Sequence, residues 1–169
     1  KDMPVERIGK YRIQQLIARG GMGALYLAHD PDLDREVAIK VMSESIMRDE
    51  QARERFYREA RAAARLQHRN IVTVFDFAHD GETPYFVMEL LRGQNLSQRL
   101  QHGPPLTMRM KLDLAMQLCE GLHFAHGEGV IHRDVKPANI WLLDDGGVKL
   151  LDFGIAKSSA GTLTLGGSV

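Results

Sequence analysis

The chain reads as an α+β fold: an antiparallel sheet with one main helix in its first half, then a mainly helical second part. Two observations predict this. Between Tyr11 and Lys40, short apolar runs alternate with turn signals, and beyond Arg92 the apolar residues recur at helical rather than strand spacing.

Taken in order, the strand candidates are Tyr11-Arg12-Ile13, Ala24 to Ala28 and Val37 to Val41, broken by Gly20-Gly21-Met22-Gly23 and by the Asp30-Pro31-Asp32 turn. From Asp49 to Gln67 the period becomes helical, with Phe56, Ala60, Ala63 and Leu66 on one stripe and Glu59 on its flank. Ile71 to Phe77 and Pro84 to Glu89 form a further strand pair around the polar turn Asp80-Gly81-Glu82. Leu90 to Gly93 is a short connector. A helix then starts near Thr107, a suitable N-cap, with Leu112, Ala115, Cys119 and Leu122 as its expected core stripe. Ser158 to Val169 is small and polar enough to be a loop.

Composition narrows the class. With 169 residues and 44% apolar side chains, the chain can build a core. Its 22 basic residues balance 22 acidic ones, which argues against a nucleic-acid surface. A single cysteine, Cys119, excludes an internal disulfide and suits a reducing compartment; it is expected to be a small buried side chain. No run approaches the ~20 apolar residues of a membrane span and no signal peptide is evident, so a soluble, cytoplasmic domain is expected, although a longer parent could be membrane-anchored. His123 and His126 share helical spacing with Cys119, but no fourth ligand accompanies them, and they read as packing or surface residues.

The chemistry concentrates in His132-Arg133-Asp134-Val135-Lys136-Pro137-Ala138-Asn139, followed after twelve residues by Asp152-Phe153-Gly154. Two carboxylates, a lysine and a carboxamide in so short a stretch match the needs of phosphoryl transfer: oxygen ligands for metal ions, one positioned base and a cation. Upstream, Ala18-Arg19-Gly20-Gly21-Met22-Gly23 lies between two strands, where glycines let backbone N–H groups approach phosphate oxygens. Lys40 ends an apolar run with a charge that is costly to bury unpaired, and Glu59 is its natural partner.

Together these motifs resemble those of the eukaryotic-like Ser/Thr protein kinases, close to the bacterial branch. The resemblance implies a protein kinase-like two-lobe fold, with residues 1–91 as the N-lobe and hinge and residues 92–169 as a partial C-lobe ending in the activation segment. It implies ATP and Mg2+ as cofactors and a protein Ser/Thr hydroxyl as acceptor. Asp134 would be the base, Lys136 would stabilise the transferring group, and Asn139 and Asp152 would hold Mg2+. Lys40 and Glu59 would clamp the α- and β-phosphates. Ala18, Gly20, Gly21 and Gly23 would cover the phosphates, although the family's first glycine is Ala18 here, which bears on how closely the loop approaches. Leu25, Ala38, Met88, Glu89, Leu91 and Trp141 would surround the adenine; at Trp141 the family commonly has an aliphatic residue, and the indole either stacks on adenine or caps the core. His132 is expected to be a buried scaffold. Arg133 would pair with phosphorylated Thr162 or Thr164. Lys136 favours the Ser/Thr over the tyrosine class.

Kinase domains of this family usually run to about 250 to 300 residues. The chain begins at Lys1 and stops before an Ala-Pro-Glu motif, so it is expected to be a piece about two-thirds of a domain long, weak or inactive alone, with a homodimer as one arrangement that would cover exposed apolar surface. The alternative reading is a non-catalytic nucleotide-binding or scaffold module of the same fold.

Overall fold

The computed structural model describes residues 6–20, 23–43, 47, 48, 50, 53, 54, 57, 61 and 64–151. Nine strands form two antiparallel sheets among them. The first is ordered β1-β2-β3-β4-β6-β5, from β1 (Arg7–Ile8), β2 (Tyr11–Gly20), β3 (Gly23–Asp30), β4 (Arg35–Met42), β5 (Val74–Asp80) and β6 (Thr83–Glu89). The second, β7-β8-β9, joins Gly93–Asn95, Ile140–Leu143 and Val148–Leu150. The first sheet thus ends at Glu89, and three residues separate it from the start of the second at Gly93.

β4 lies between β3 and β6 and is covered on both faces, which is why Val37-Ala38-Ile39 is an unbroken apolar run rather than an alternation. On one face, Tyr26, Ala28, Val37, Ile39, Tyr85 and Val87 pack with Ile8 and Tyr11. On the other, Met42 and Phe86 pack with Tyr57, Val74, Phe77 and Met88. Tyr57 is helical, as are Met47, Glu50, Arg53, Glu54 and Arg61. Its hydroxyl and His79 Nε2 lie 2.8 Å apart, which ties that helical stretch to β5. Leu66 of the expected stripe is buried, whereas Phe56, Ala60 and Ala63 lie outside the described residues.

Tyr11 and Tyr85 are nearly inaccessible and meet edge to face, with ring centroids 6.2 Å apart. Burial pushes both phenols above their ordinary value of 10.0. The unfolded chain therefore ionises first, so this stabilisation is complete below about pH 10 and is lost as the pH climbs through the raised values. Urea midpoints should fall between about pH 9 and about pH 11, and Tyr11→Phe and Tyr85→Phe should each flatten that fall. Unchanged slopes in both variants would contradict the assignment.

Two helices complete the second part. α1 (Leu96–His102) opens on a capping box in which Asn95 Oδ1 accepts from Gln98 N–H at 2.8 Å and Gln98 Oε1 accepts from Asn95 N–H at 3.2 Å. α2 (Met108–Gly127) begins where its N-cap was expected, Thr107 Oγ1 accepting from Met110 N–H at 3.2 Å.

The core face of α2 differs from the expected one. Leu114, Leu118, Leu122, Gly121 and Ala125 turn toward Ile71, Ile140 and Leu150, while Leu112, Ala115 and Cys119 are exposed. Small residues set this orientation. A Cβ on Gly121 would stand 3.1 Å from Asn70 O and 3.2 Å from Leu150 Cδ1, so the helix approaches β9 most closely where a side chain is missing. The expected buried Cys119 is thereby corrected to an exposed thiol. β5 also starts three residues later than expected, because Ile71 and Val72 are drawn away to β9: Ile71 bridges Leu150, and Val72 N–H donates to Leu150 O at 3.0 Å.

Candidate functional site

Strand register brings one group of the expected residues together. Leu25 lies opposite Ala18 and Lys40, Lys40 opposite Phe86, and Ala38 opposite Met88. Directly paired residues share a face, as do residues two apart, so Ala18, Leu25, Ala38, Lys40 and Met88 stand on the same side of the sheet. Ala38 is buried, and Leu25, Lys40 and Met88 are half-buried. Among the described residues this is an apolar surface that carries the Lys40 cation.

Gly20 and Gly23 face each other as the last and first residues of β2 and β3; Gly21 and Met22 between them lie outside the described residues. Gly23 has φ +136°, and a Cβ there would fall 1.9 Å from Val41 O. Only glycine fits. Glu59, Asp152, Thr162 and Thr164 also lie outside the described residues.

The second group surrounds the short 3-10 turn Pro137–Asn139. Arg133, at φ +62°, reverses the chain so that Asp134 N–H donates back to His132 Nδ1 at 3.2 Å. His132, 1% exposed, also places Nε2 2.8 Å from Leu151 O. Because Nδ1 accepts, Nε2 must carry the proton and donate, so the ring is a neutral strut with both nitrogens committed. Leu151 N–H in turn donates to Asn139 O at 2.9 Å. The loop and the end of β9, immediately before Asp152, are therefore one hydrogen-bonded unit.

Within it, Asn139 Nδ2 donates to Asp134 O at 2.9 Å and to Asp134 Oδ2 at 3.1 Å. Lys136 Nζ lies 2.9 Å from the same Oδ2. Asp134 is mostly covered, at 14% side-chain exposure, and Lys136 reaches it from the open side, at 44%. With Nδ2 spent on Asp134, Asn139 keeps Oδ1 as its remaining side-chain acceptor. A carboxamide oxygen is one of the hard donors that Mg2+ prefers, so Asn139 fits its expected role, whereas the expected carboxylate partner Asp152 lies outside the described residues. Asp134, Lys136 and Asn139 are thus gathered at one point.

The remaining expected residues lie toward the connection between the sheets. Glu89 ends β6, its Oε1 accepting from Thr73 N–H at 2.7 Å, and half-buried Leu91 follows in the connector. Trp141 pairs with Asn95 and Lys149 across the second sheet, its Nε1 buried without a hydrogen-bond partner. Opposite faces of β8 carry Ile140 and Leu142 into the core and Trp141 away from it, so the indole is no part of that cluster. His123 and His126 are exposed, and the described residues hold no cluster of metal-ligating side chains. Sequence reasoning overlooked Lys149. Its signal was the one used for Lys40, a lone cation in an apolar strand, Val148-Lys149-Leu150-Leu151.

An antiparallel sheet is thus joined to a second sheet and two helices, and an Asp-Lys-Asn loop leads into β8 while bonding to Leu151 just past β9. The chain belongs to the protein kinase family, its residues 11–165 matching the protein kinase domain model. It is 44% identical over 155 residues to serine/threonine-protein kinase PknA of Mycobacterium tuberculosis, covering 89% of this chain and 36% of that protein. A probable serine/threonine-protein kinase of Clostridium acetobutylicum is 41% identical over 150 residues, 89% of this chain and 23% of the relative. The kinase domain of Mycobacterium tuberculosis PknI superposes with a TM-score of 0.78 at 32% identity, over 89% of this chain and 62% of that structure. The expected protein kinase-like α+β fold is therefore present, in a chain that spans only those fractions of its relatives. No helix among the described residues is long and apolar enough to cross a membrane.

Proposed function

We propose that this chain carries the nucleotide site and catalytic loop of an ATP- and Mg2+-dependent protein serine/threonine kinase. The observation that carries the reading is the convergence of Lys136 Nζ and Asn139 Nδ2 on one carboxylate oxygen of Asp134. Such convergence holds the carboxylate in one orientation. In this reading the Asp134 carboxylate accepts the proton of a Ser or Thr hydroxyl, while Lys136 turns toward the charge on the transferring group. Asn139 Oδ1 and Asp152 would hold Mg2+, which supplies charge neutralisation along the phosphate chain when bound.

Lys40 and Glu59 form the phosphate clamp in this reading, and the Gly20 to Gly23 hairpin covers the phosphates. Leu25, Ala38 and Met88 wall the adenine, the backbones of Glu89 and Leu91 meet its edge, and Trp141 stands nearby. The sheet boundary between Glu89 and Gly93 supports a lobe division at residues 91 and 92. Arg133, exposed on the loop, remains the proposed anchor for a phosphorylated Thr162 or Thr164. In this reading the domain works in the cytoplasm, the compartment that its single cysteine suits.

The test measures Mg-ATP affinity by calorimetry and phosphate transfer to protein from labelled ATP, in the full-length protein and its Lys40→Met variant. Saturable binding and transfer to Ser or Thr are expected, with transfer reduced at least about a hundredfold by Lys40→Met. Binding without transfer in the unaltered full-length protein would favour the scaffold reading.

A further inference from the structure

Lys149 and Glu89 join the two sheets. Lys149 Nζ lies 2.5 Å from Glu89 Oε1 and 3.3 Å from Ile71 O, and the same carboxylate oxygen accepts from Thr73 N–H at 2.7 Å. Glu89 N–H donates to Thr73 O at 3.0 Å, so both its backbone and its side chain are held by the segment preceding β5. The pair is well covered, at 12% side-chain exposure for the lysine and 23% for the glutamate.

A covered ion pair adds little net stability, because desolvating the two charges cancels most of their attraction. Its geometric effect is larger: three hydrogen bonds in a water-poor setting fix where each group stands. At one end of this pair is the strand terminus that leads into Leu90 and Leu91. The other end is β9, which continues into Leu151 and through it to His132 and Asn139. One side-chain contact therefore links the backbone that would meet the base to the loop that would act on the phosphate.

We propose that Lys149 is a positioning residue for nucleotide binding. By gripping the Glu89 carboxylate it sets the backbone of residues 89 to 91 against the catalytic loop, so that base and phosphate sites are held at a fixed separation. The proposal rests on the nucleotide reading given above and adds to it a residue that touches no substrate. An uncoupled Glu89 leaves the connector free to sample other positions, and a base site displaced by even a fraction of an ångström binds less tightly.

The experiment titrates Mg-ATP into the 169-residue chain, by calorimetry and by fluorescence of Trp141, its single tryptophan, which pairs directly with Lys149 across β8 and β9. Wild type, Lys149→Met, Glu89→Gln, the double variant and Lys149→Arg are compared, each first shown to unfold cooperatively. Lys149→Met and Glu89→Gln should each weaken Mg-ATP binding by about tenfold, with the double variant no worse than the weaker single one. Lys149→Arg, which keeps charge and reach, should recover most of the affinity. Unchanged affinity in folded Lys149→Met, or losses that simply add in the double variant, would overturn the proposal. Should Lys149→Met fail to fold, Glu89→Gln decides alone: it keeps the acceptor for Thr73 and loses only the charge that Lys149 grips. Should the wild-type chain not bind Mg-ATP, the same variants are compared in the full-length protein by calorimetry, where absence of binding to the unaltered protein overturns the nucleotide reading and this proposal with it.

Discussion

Asp134→Asn in the full-length protein should lower phosphoryl transfer by about a thousandfold or more while leaving Mg-ATP affinity within about threefold of wild type. Two properties of the carboxylate are lost at once. Its basicity disappears, and Lys136, 2.9 Å from Oδ2, loses its anionic partner. The loop itself should persist, since the amide of residue 134 still donates to His132 and its carbonyl still accepts from Asn139 Nδ2. The effect should therefore fall on kcat and spare the affinity for nucleotide, measured by single-turnover transfer and by calorimetry. Equal loss of both would mean that Asp134 serves the loop's architecture rather than the proton.

The sequence revealed this site better than the surfaces around it, for physical reasons. Polar residues that do chemistry must occur as particular types at fixed spacing, so Asp134, Lys136 and Asn139 were legible as a group, and the structure brings them together. The strands β3, β4 and β6 were legible because β4 is buried on both faces and writes an uninterrupted apolar run. The α2 face was misread because its closest approach is made by Gly121 and Ala125, which carry almost no hydrophobic signal, while exposed Leu112 and Met116 carry much. α1 was overlooked although Asn95 and Gln98 spelled its capping box, since a helix of seven residues shows too little periodicity. The Lys149–Glu89 pair was hidden for another reason. Its partners are sixty positions apart, and nothing local to either reports the other.

His132→Ala should destabilise the chain by about 3 to 5 kcal/mol in denaturant unfolding, a large part of the 5 to 15 kcal/mol typical of a domain. The imidazole is fully buried, so its removal leaves a cavity and two unsatisfied backbone groups, the Asp134 N–H and the Leu151 carbonyl. The two halves of its role can be separated, because Asn places an acceptor oxygen near the position of Nδ1, whereas Gln carries an N–H donor out to the position of Nε2. The bond to Leu151 is the shorter, at 2.8 Å against 3.2 Å, so His132→Gln should retain more stability than His132→Asn. Activity should rank the other way. The bond to Asp134 sets the residue proposed to take the proton, and His132→Asn keeps it. Gln and Asn variants that are indistinguishable in both unfolding and transfer would show that the ring acts as filler alone, with neither nitrogen contributing through its hydrogen bond.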